Sequence, residues 1–136
     1  MVRLETRRLV VRHARLSDVP GVVRYLRENR RFLEPWEPLR SEPYFTETFW
    51  RIRLPQDLRE YEQDRALRLF LFPREAPGEV AGVANFTNIV RGTFQACYLG
   101  YALAEKYVGR GFMTEALQAA LEHVFGVMRL HRVMAN

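Results

Sequence analysis

Residues 106–114 read Lys-Tyr-Val-Gly-Arg-Gly-Phe-Met-Thr, and they place a glycine pair where an apolar strand stops and an amphipathic helix begins. Upstream, residues 94–103 are rich in aromatic and apolar side chains. Downstream, Met113, Ala116, Leu117, Ala120, Leu121, Val124 and Met128 recur at helical spacing and define one apolar face. The helix is therefore expected to start at about Gly111. Its first free N–H groups and the positive end of its dipole point back into the loop, where neither Gly109 nor Gly111 carries a Cβ to obstruct an approaching phosphate. The spacing suits an anion; it also reads as an ordinary turn before a helix.

Two familiar phosphate motifs are excluded. A P-loop needs four residues between its glycines and a following Gly-Lys-Ser/Thr, whereas one residue separates Gly109 from Gly111. A dinucleotide fingerprint requires a small residue where this chain has Thr114, and an acidic residue at the end of the next strand.

The rest of the 136-residue chain has the composition of one globular domain, 48% hydrophobic and 27% charged. No apolar run approaches a membrane span, and no signal-peptide segment follows the arginines of the first residues, so a cytoplasmic location without a membrane partner is expected. Cys97 has no partner for an internal disulfide. His13, His123 and His131 form no ligand spacing with it, and no metal site is expected. The net charge of +5 comes from arginines spread along the chain among 16 acidic residues. It reads as a solvated surface, as a field attracting a polyanionic cofactor, or as docking on an RNA-rich particle, and charge alone does not separate these.

The expected order is strand, helices, three strands, helix, strand. Residues 9–12 form the first strand, and Ser17 caps a helix over 18–29 with Pro20 in its first turn. The proline-containing stretch 30–43 reads as an ordered loop, and 46–65 as helix interrupted at Pro55. Strands follow over 67–72, 79–90 and 93–103, and another begins at Val133. The resulting class is α/β, a mixed and mainly antiparallel sheet flanked by helices.

Residues 97–116, Cys-Tyr-Leu-Gly-Tyr-Ala-Leu-Ala-Glu-Lys-Tyr-Val-Gly-Arg-Gly-Phe-Met-Thr-Glu-Ala, resemble the coenzyme A signature of the GNAT superfamily of N-acetyltransferases, Gln/Arg-x-x-Gly-x-Gly/Ala. Lys106, Gly109 and Gly111 occupy its fixed positions, with Lys106 standing where Gln or Arg is usual. Residues 5–12, 32–38, 82–92 and 131–136 narrow the resemblance to the Rim group of ribosomal-protein N-terminal acetyltransferases, most of all to those acting on an N-terminal alanine of a small-subunit protein. The resemblance implies an acyl-CoA N-acyltransferase-like fold, acetyl-CoA as co-substrate and a protein or peptide N-terminus as acceptor.

The same resemblance implies a set of site residues. The fourth and fifth strands of such a fold splay apart, and the pantetheine arm lies along Leu99, Gly100, Tyr101 and Leu103, with Gly100 suited to a bulge that starts the divergence. Lys106, Gly109, Arg110, Gly111, Phe112, Met113 and Thr114 hold the phosphates. The backbone N–H of Leu99 or Gly100 stabilises charge on the thioester oxygen. Many relatives carry Glu two residues before the strand glycine, where this chain has Tyr98. A water relayed by Asn85 or Tyr98 is therefore the expected route for the amine proton, although both also read as packed strand residues. Glu34, Trp36, Glu37 and Asn88 are the candidates for gripping an N-terminal amine, and Trp36 reads equally as part of a proline-stiffened lid.

Family resemblance also leads us to expect a further helix and two strands beyond Asn136, hence a chain incomplete at its C-terminal end and a homo-oligomer or aggregate in solution. Other readings are a non-catalytic fragment binding coenzyme A or ribosomal RNA, and an acetyltransferase for another small amine.

Overall fold

A computed structural model of the chain describes residues 1–135. Asn136, where the last stretch of family resemblance ends, lies outside the described residues. Six strands form one sheet: β1 (Arg3–Glu5), β2 (Leu9–Arg12), β3 (Leu67–Pro73), β4 (Gly82–Val90), β5 (Ala96–Leu103) and β6 (Arg132–Ala135), side by side in that order. All pairings are antiparallel except β5 with β6. That parallel pair needs a crossover, which is the glycine loop and α4 (Phe112–Gly126). Between β2 and β3 lie α1 (Val19–Glu28), the single turn α2 (Arg30–Leu33) and α3 (Glu47–Glu62). Among the described residues no helix is long and apolar enough to cross a membrane.

Alternation along the strands gives the sheet two faces with different covers. Cross-strand register puts Leu9, Val11, Leu67, Leu69, Leu71, Ala84, Phe86 and Leu99 on one face, all buried. The buried side of α4, Ala116, Ala120 and Val124, joins them in one core cluster, as its apolar periodicity predicts. Phe70, Arg68, Val83, Asn85, Tyr98 and Gly100 share the opposite face. There α3 packs, with the Trp50 ring 6.2 Å from Phe70 and Asp57 paired to Arg68, and α1 packs beside α3.

Several local expectations need correction. A strand at Arg3–Glu5 precedes the one expected to be first. Ser17 does not cap α1: it lies in a 3-10 turn over Leu16–Asp18, and the Asp18 carboxylate binds the Arg15 N–H and the Arg12 guanidinium instead. The stretch 30–43 carries a helical turn at Arg30–Leu33 and a 3-10 turn at Glu34–Trp36. Helix α3 runs unbroken through Pro55, capped by Thr46, whose hydroxyl accepts from Phe49 N. Burial of Trp50 and Leu54 on the sheet, with Arg53 paired to Asp57 one turn later, offsets the missing hydrogen bond.

Gly100 is not the bulge. It pairs in register with Asn85, whereas the register shifts in β4 between Thr87 and Val90. Asn88 there adopts φ 53°, a left-handed conformation that asparagine tolerates better than most side chains.

Candidate active site

The glycine loop has the geometry its sequence suggests. Gly109 and Gly111 have φ of 77° and 79°, values that disfavour any side chain. A Cβ at Gly109 would meet nothing within 4 Å, so the loop surface is open there. Gly111 caps α4 without a side-chain acceptor, and the first intrahelical bond runs from Glu115 N to Gly111 O. The amides of Phe112, Met113 and Thr114 therefore precede the helical ladder, where an anion finds unsatisfied donors. Lys106 projects from a 3-10 turn at Glu105–Tyr107, and its ammonium is engaged by Glu79, which keeps it charged. The Arg110 side chain approaches Glu75 at 3.7 Å and lies near the Phe112 ring.

An unexpected clamp fixes this loop. Glu115, in the first turn of α4, accepts from Thr6 Oγ1 (2.5 Å), Arg8 N (2.7 Å) and Arg8 Nε (2.8 Å). Arg8 also donates from an Nη to Arg110 O at 2.8 Å and stacks over Phe112. Burial raises the Glu115 carboxyl, but the hydrogen bonds from Thr6 and Arg8 hold it below its ordinary range. The β1–β2 turn is thus tied to the start of α4, and no local pattern announces a contact between residues over a hundred positions apart. Glu115→Ala is expected to cost about 1–2 kcal/mol, by urea unfolding, because it removes a charge-assisted pair and strands the Thr6 and Arg8 donors. It should also weaken coenzyme A binding by loosening the loop.

Strand β5 runs from the sheet centre into this loop. Leu99 is buried and pairs with Phe86 on one side and Ala135 on the other, the last pairing described with β6. Gly100 follows, and a Cβ there would meet nothing within 4 Å, so the sheet face it shares with Asn85 is open at this position. Tyr101 is exposed and Leu103 half-buried.

On the α1–α3 face, a cavity of about 300 Å³ lies against the sheet, lined by residues that include Tyr25, Glu37, Asp57, Arg68, Val83 and Asn85. Asn85 opposes Gly100 in the ladder, which sets this cavity beside the strand expected to carry the thioester. Burial raises the Glu37 carboxyl, against the pull of Arg40. Burial likewise raises Asp57, opposed by Arg53 and Arg68. A second cavity of about 440 Å³ adjoins along Tyr25, Val80, Ala104 and Lys106. Asn29 joins its walls, its side chain accepting from Glu105 N at 2.8 Å and donating to Tyr25 O at 2.8 Å.

The remaining sequence candidates divide. Glu37 lines the 300 Å³ cavity, and Glu34 only a smaller neighbouring one of about 80 Å³. Trp36 is 81% exposed, so it belongs neither to the core nor to a cavity wall. Asn88 sits exposed in the β4 bulge, away from Asn85 and toward the opposite end of β5 from the glycine loop. Tyr98 shares a sheet face with Asn85 and Gly100 and is partly exposed.

Residues 8–136 match the family described as acetyltransferase (GNAT) domain. The chain belongs to the GNAT acetyltransferase family. It is 44% identical over 135 residues to the [ribosomal protein uS5]-alanine N-acetyltransferase of Escherichia coli K12, covering 99% of this chain and 69% of the relative. Among solved structures, a ribosomal-protein-S5-alanine acetyltransferase from Vibrio fischeri superposes with a TM-score of 0.92 at 32% identity, over 99% of this chain and 73% of that one. Mycobacterium smegmatis RimJ in complex with CoA-disulfide gives 0.85 at 25% identity, over 98% and 65%. GNAT enzymes take their acetyl group from acetyl-CoA, and the paired left-handed glycines, the free amides at the start of α4 and the open sheet face at Gly100 suit that donor.

Proposed function

We propose that this acetyltransferase moves the acetyl group of acetyl-CoA to the N-terminal amine of a protein, with the N-terminal alanine of ribosomal protein uS5 as acceptor. The observation that carries the proposal is the 44% identity, over 99% of the chain, with a relative named for that reaction. The chemistry agrees. An α-amine with pKa near 8 is neutral in roughly one molecule in ten at pH 7, and a lysine in fewer than one in a thousand. A site with no carboxylate on β5 at position 98 therefore favours the N-terminus.

In this reading the diphosphate rests on the amides of residues 109–114, and the thioester lies along β5 with its oxygen toward the backbone at Leu99 or Gly100. Acetyl-CoA supplies the activated carbonyl. The acceptor enters the cavity lined by Glu37, Tyr25 and Asn85, and its neutral nitrogen adds to the carbonyl carbon. The C–S bond then breaks, the thiolate leaves, and the amine proton passes to water held at the Asn85 and Tyr98 face.

Peptides beginning with free Ala, Ser or Thr should be acetylated, and the same peptides blocked at the N-terminus but carrying lysine should not. Equal turnover of the two sets, followed by mass spectrometry, would point to a general amine acetyltransferase.

A reading in which the arginines bind RNA is weaker. Arg8, Arg12, Arg30, Arg51, Arg53, Arg68, Arg74 and Arg91 each face a carboxylate within 4.0 Å, so these arginines are engaged by acidic partners in the protein, although the net surplus of +5 remains.

A further inference from the structure

On the α1–α3 face, the register of β3, β4 and β5 sets Arg68, Asn85 and Gly100 in one row across the sheet. Arg68 forms part of the wall of the cavity of about 300 Å³, and 24% of its side chain is exposed. Two carboxylates on α3 anchor it: Nε donates to Glu60 Oε1 at 3.1 Å, and Asp57 Oδ1 lies 3.8 Å from the same nitrogen. Among the described residues no other hydrogen bond engages the guanidinium, so both Nη groups keep their donors free. Those donors are accessible, because the sealed side-chain atoms without a partner among the described residues belong to His13 and Tyr25 alone. A planar guanidinium fixed through Nε and open at its fork is preorganised to donate to an occupant of the cavity.

The charge of the lining narrows that occupant. In the cavity wall Arg40, Arg53 and Arg68 face Glu37 and Asp57, and Glu60 completes the balance from α3. No surplus remains to draw in an anion, so the fork suits a neutral oxygen, which a peptide presents at every carbonyl. Adjacent strands lie about 4.8 Å apart, which puts the Arg68 Cα about 10 Å from Gly100 across the face. An extended chain advances about 3.4 Å per residue. An acceptor whose amine meets the thioester at Gly100, and whose backbone follows the row, carries its second carbonyl about 7 Å along it. The Arg68 side chain spans the remainder.

We infer that the Arg68 fork donates a hydrogen bond to the carbonyl of the acceptor's second residue, and that the enzyme therefore recognises an extended N-terminal segment rather than a single amino acid or a simple amine. This contact rests on the N-terminal acceptor reading above. It adds a specificity-determining residue that neither the glycine motif nor the family match identifies. A site built to bond a polar group disfavours analogues that lack it, since its donors are left unpaired.

The test uses an Ala-initiated tripeptide amide and its isostere in which an alkene replaces the second amide, with wild type and Arg68→Lys. Lysine keeps a cation beside Asp57 and Glu60 but replaces the fork with a point charge. The ratio of kcat/KM between the two acceptors cancels any effect the substitution has on both. Wild type should favour the amide by about tenfold, mainly in KM, and Arg68→Lys by no more than about twofold. Coenzyme A binding, followed by thermal shift, should be the same in both proteins. On wild type alone, alaninamide, which ends before the second carbonyl, should also be used about tenfold less efficiently than the tripeptide amide.

An unchanged ratio in Arg68→Lys, with activity lowered equally on both acceptors, would assign Arg68 to packing and overturn the inference while leaving the N-terminal reading intact. If Arg68→Lys does not fold, the wild-type comparisons decide: equal use of amide and alkene, or of alaninamide and tripeptide, overturns the contact. Failure of the wild type to acetylate any N-terminal peptide would overturn the acceptor class, and this contact with it.

Discussion

Glutamate at position 109 is expected to abolish coenzyme A binding, and lysine at the same position is expected to preserve most of it. Gly109 has φ 77°, so either side chain imposes similar backbone strain, about 1–2 kcal/mol. A Cβ there would meet nothing within 4 Å, so either side chain leaves the backbone into open space. What separates the two variants is charge. A carboxylate about 4 Å from a diphosphate costs about 4 kcal/mol at an effective dielectric near 20, close to a thousandfold in affinity. An ammonium contributes in the opposite sense. The measurement is the thermal shift and the Kd for coenzyme A, with urea unfolding to show that the two variants are equally destabilised. If both bind coenzyme A as the wild type does, the diphosphate is not held at residues 109–114; if both lose binding alike, the loop needs its backbone conformation and not its field.

The sequence carried the glycine loop because its determinants are local. Two residues must take left-handed backbone, the chain uses glycine at both, and the periodic apolar positions that follow specify α4 and its buried side. The bulge failed for an instructive reason. A glycine inside β5 looked like the irregular residue, but the extra residue was in the partner strand, at Asn88 in β4, and pairing with a neighbour is not written in either strand alone. Long-range assembly hid the rest. Glu115 meets Thr6 and Arg8 across the whole chain, and the cavity proposed for the acceptor takes Tyr25 from α1, Glu37 from a connecting turn, Asp57 from α3 and Asn85 from β4. Each of these residues is ordinary in its own segment. Trp36 is a different case: an aromatic between two glutamates in a proline-rich stretch read either as a binding residue or as a lid packed into the core, and the 3-10 turn at Glu34–Trp36 leaves it exposed, which excludes the core position, while Glu37 lines the cavity.

The second large effect is a loss of stability between pH 6.5 and 4, centred on His13. This residue is 1% exposed, accepts from Val2 N on Nδ1 at 3.0 Å, and leaves Nε2 without a partner. Its neutral form must therefore carry the proton on Nε2, and a second proton would place a charge in the core. Burial, reinforced by the N-terminal ammonium and by His123, pushes its pKa down to about 4 from 6.5. The sign follows from proton uptake. Above pH 6.5 neither the folded nor the unfolded chain is protonated at this site, and the histidine places no demand on folding. As pH falls below 6.5 the unfolded chain takes up a proton that the folded chain refuses, so stability declines until the folded form also titrates near pH 4. Over that window the loss is about 3 kcal/mol, with a steepest slope near 1.4 kcal/mol per pH unit. His123, lowered by burial and bonded to Tyr61 OH at 3.2 Å, adds in the same direction. A loss of that size is a large share of the stability of an ordinary domain. Urea unfolding at pH 7 and pH 4.5 should show it, and His13→Gln, which keeps an acceptor for Val2 N but cannot titrate, should begin less stable and lose less on acidification. An identical pH slope in the variant would assign the acid sensitivity to the carboxylates of Asp18, Asp64 and Glu115. Their pKa values are lowered on folding, so they lose stability only as pH falls through the carboxylate range.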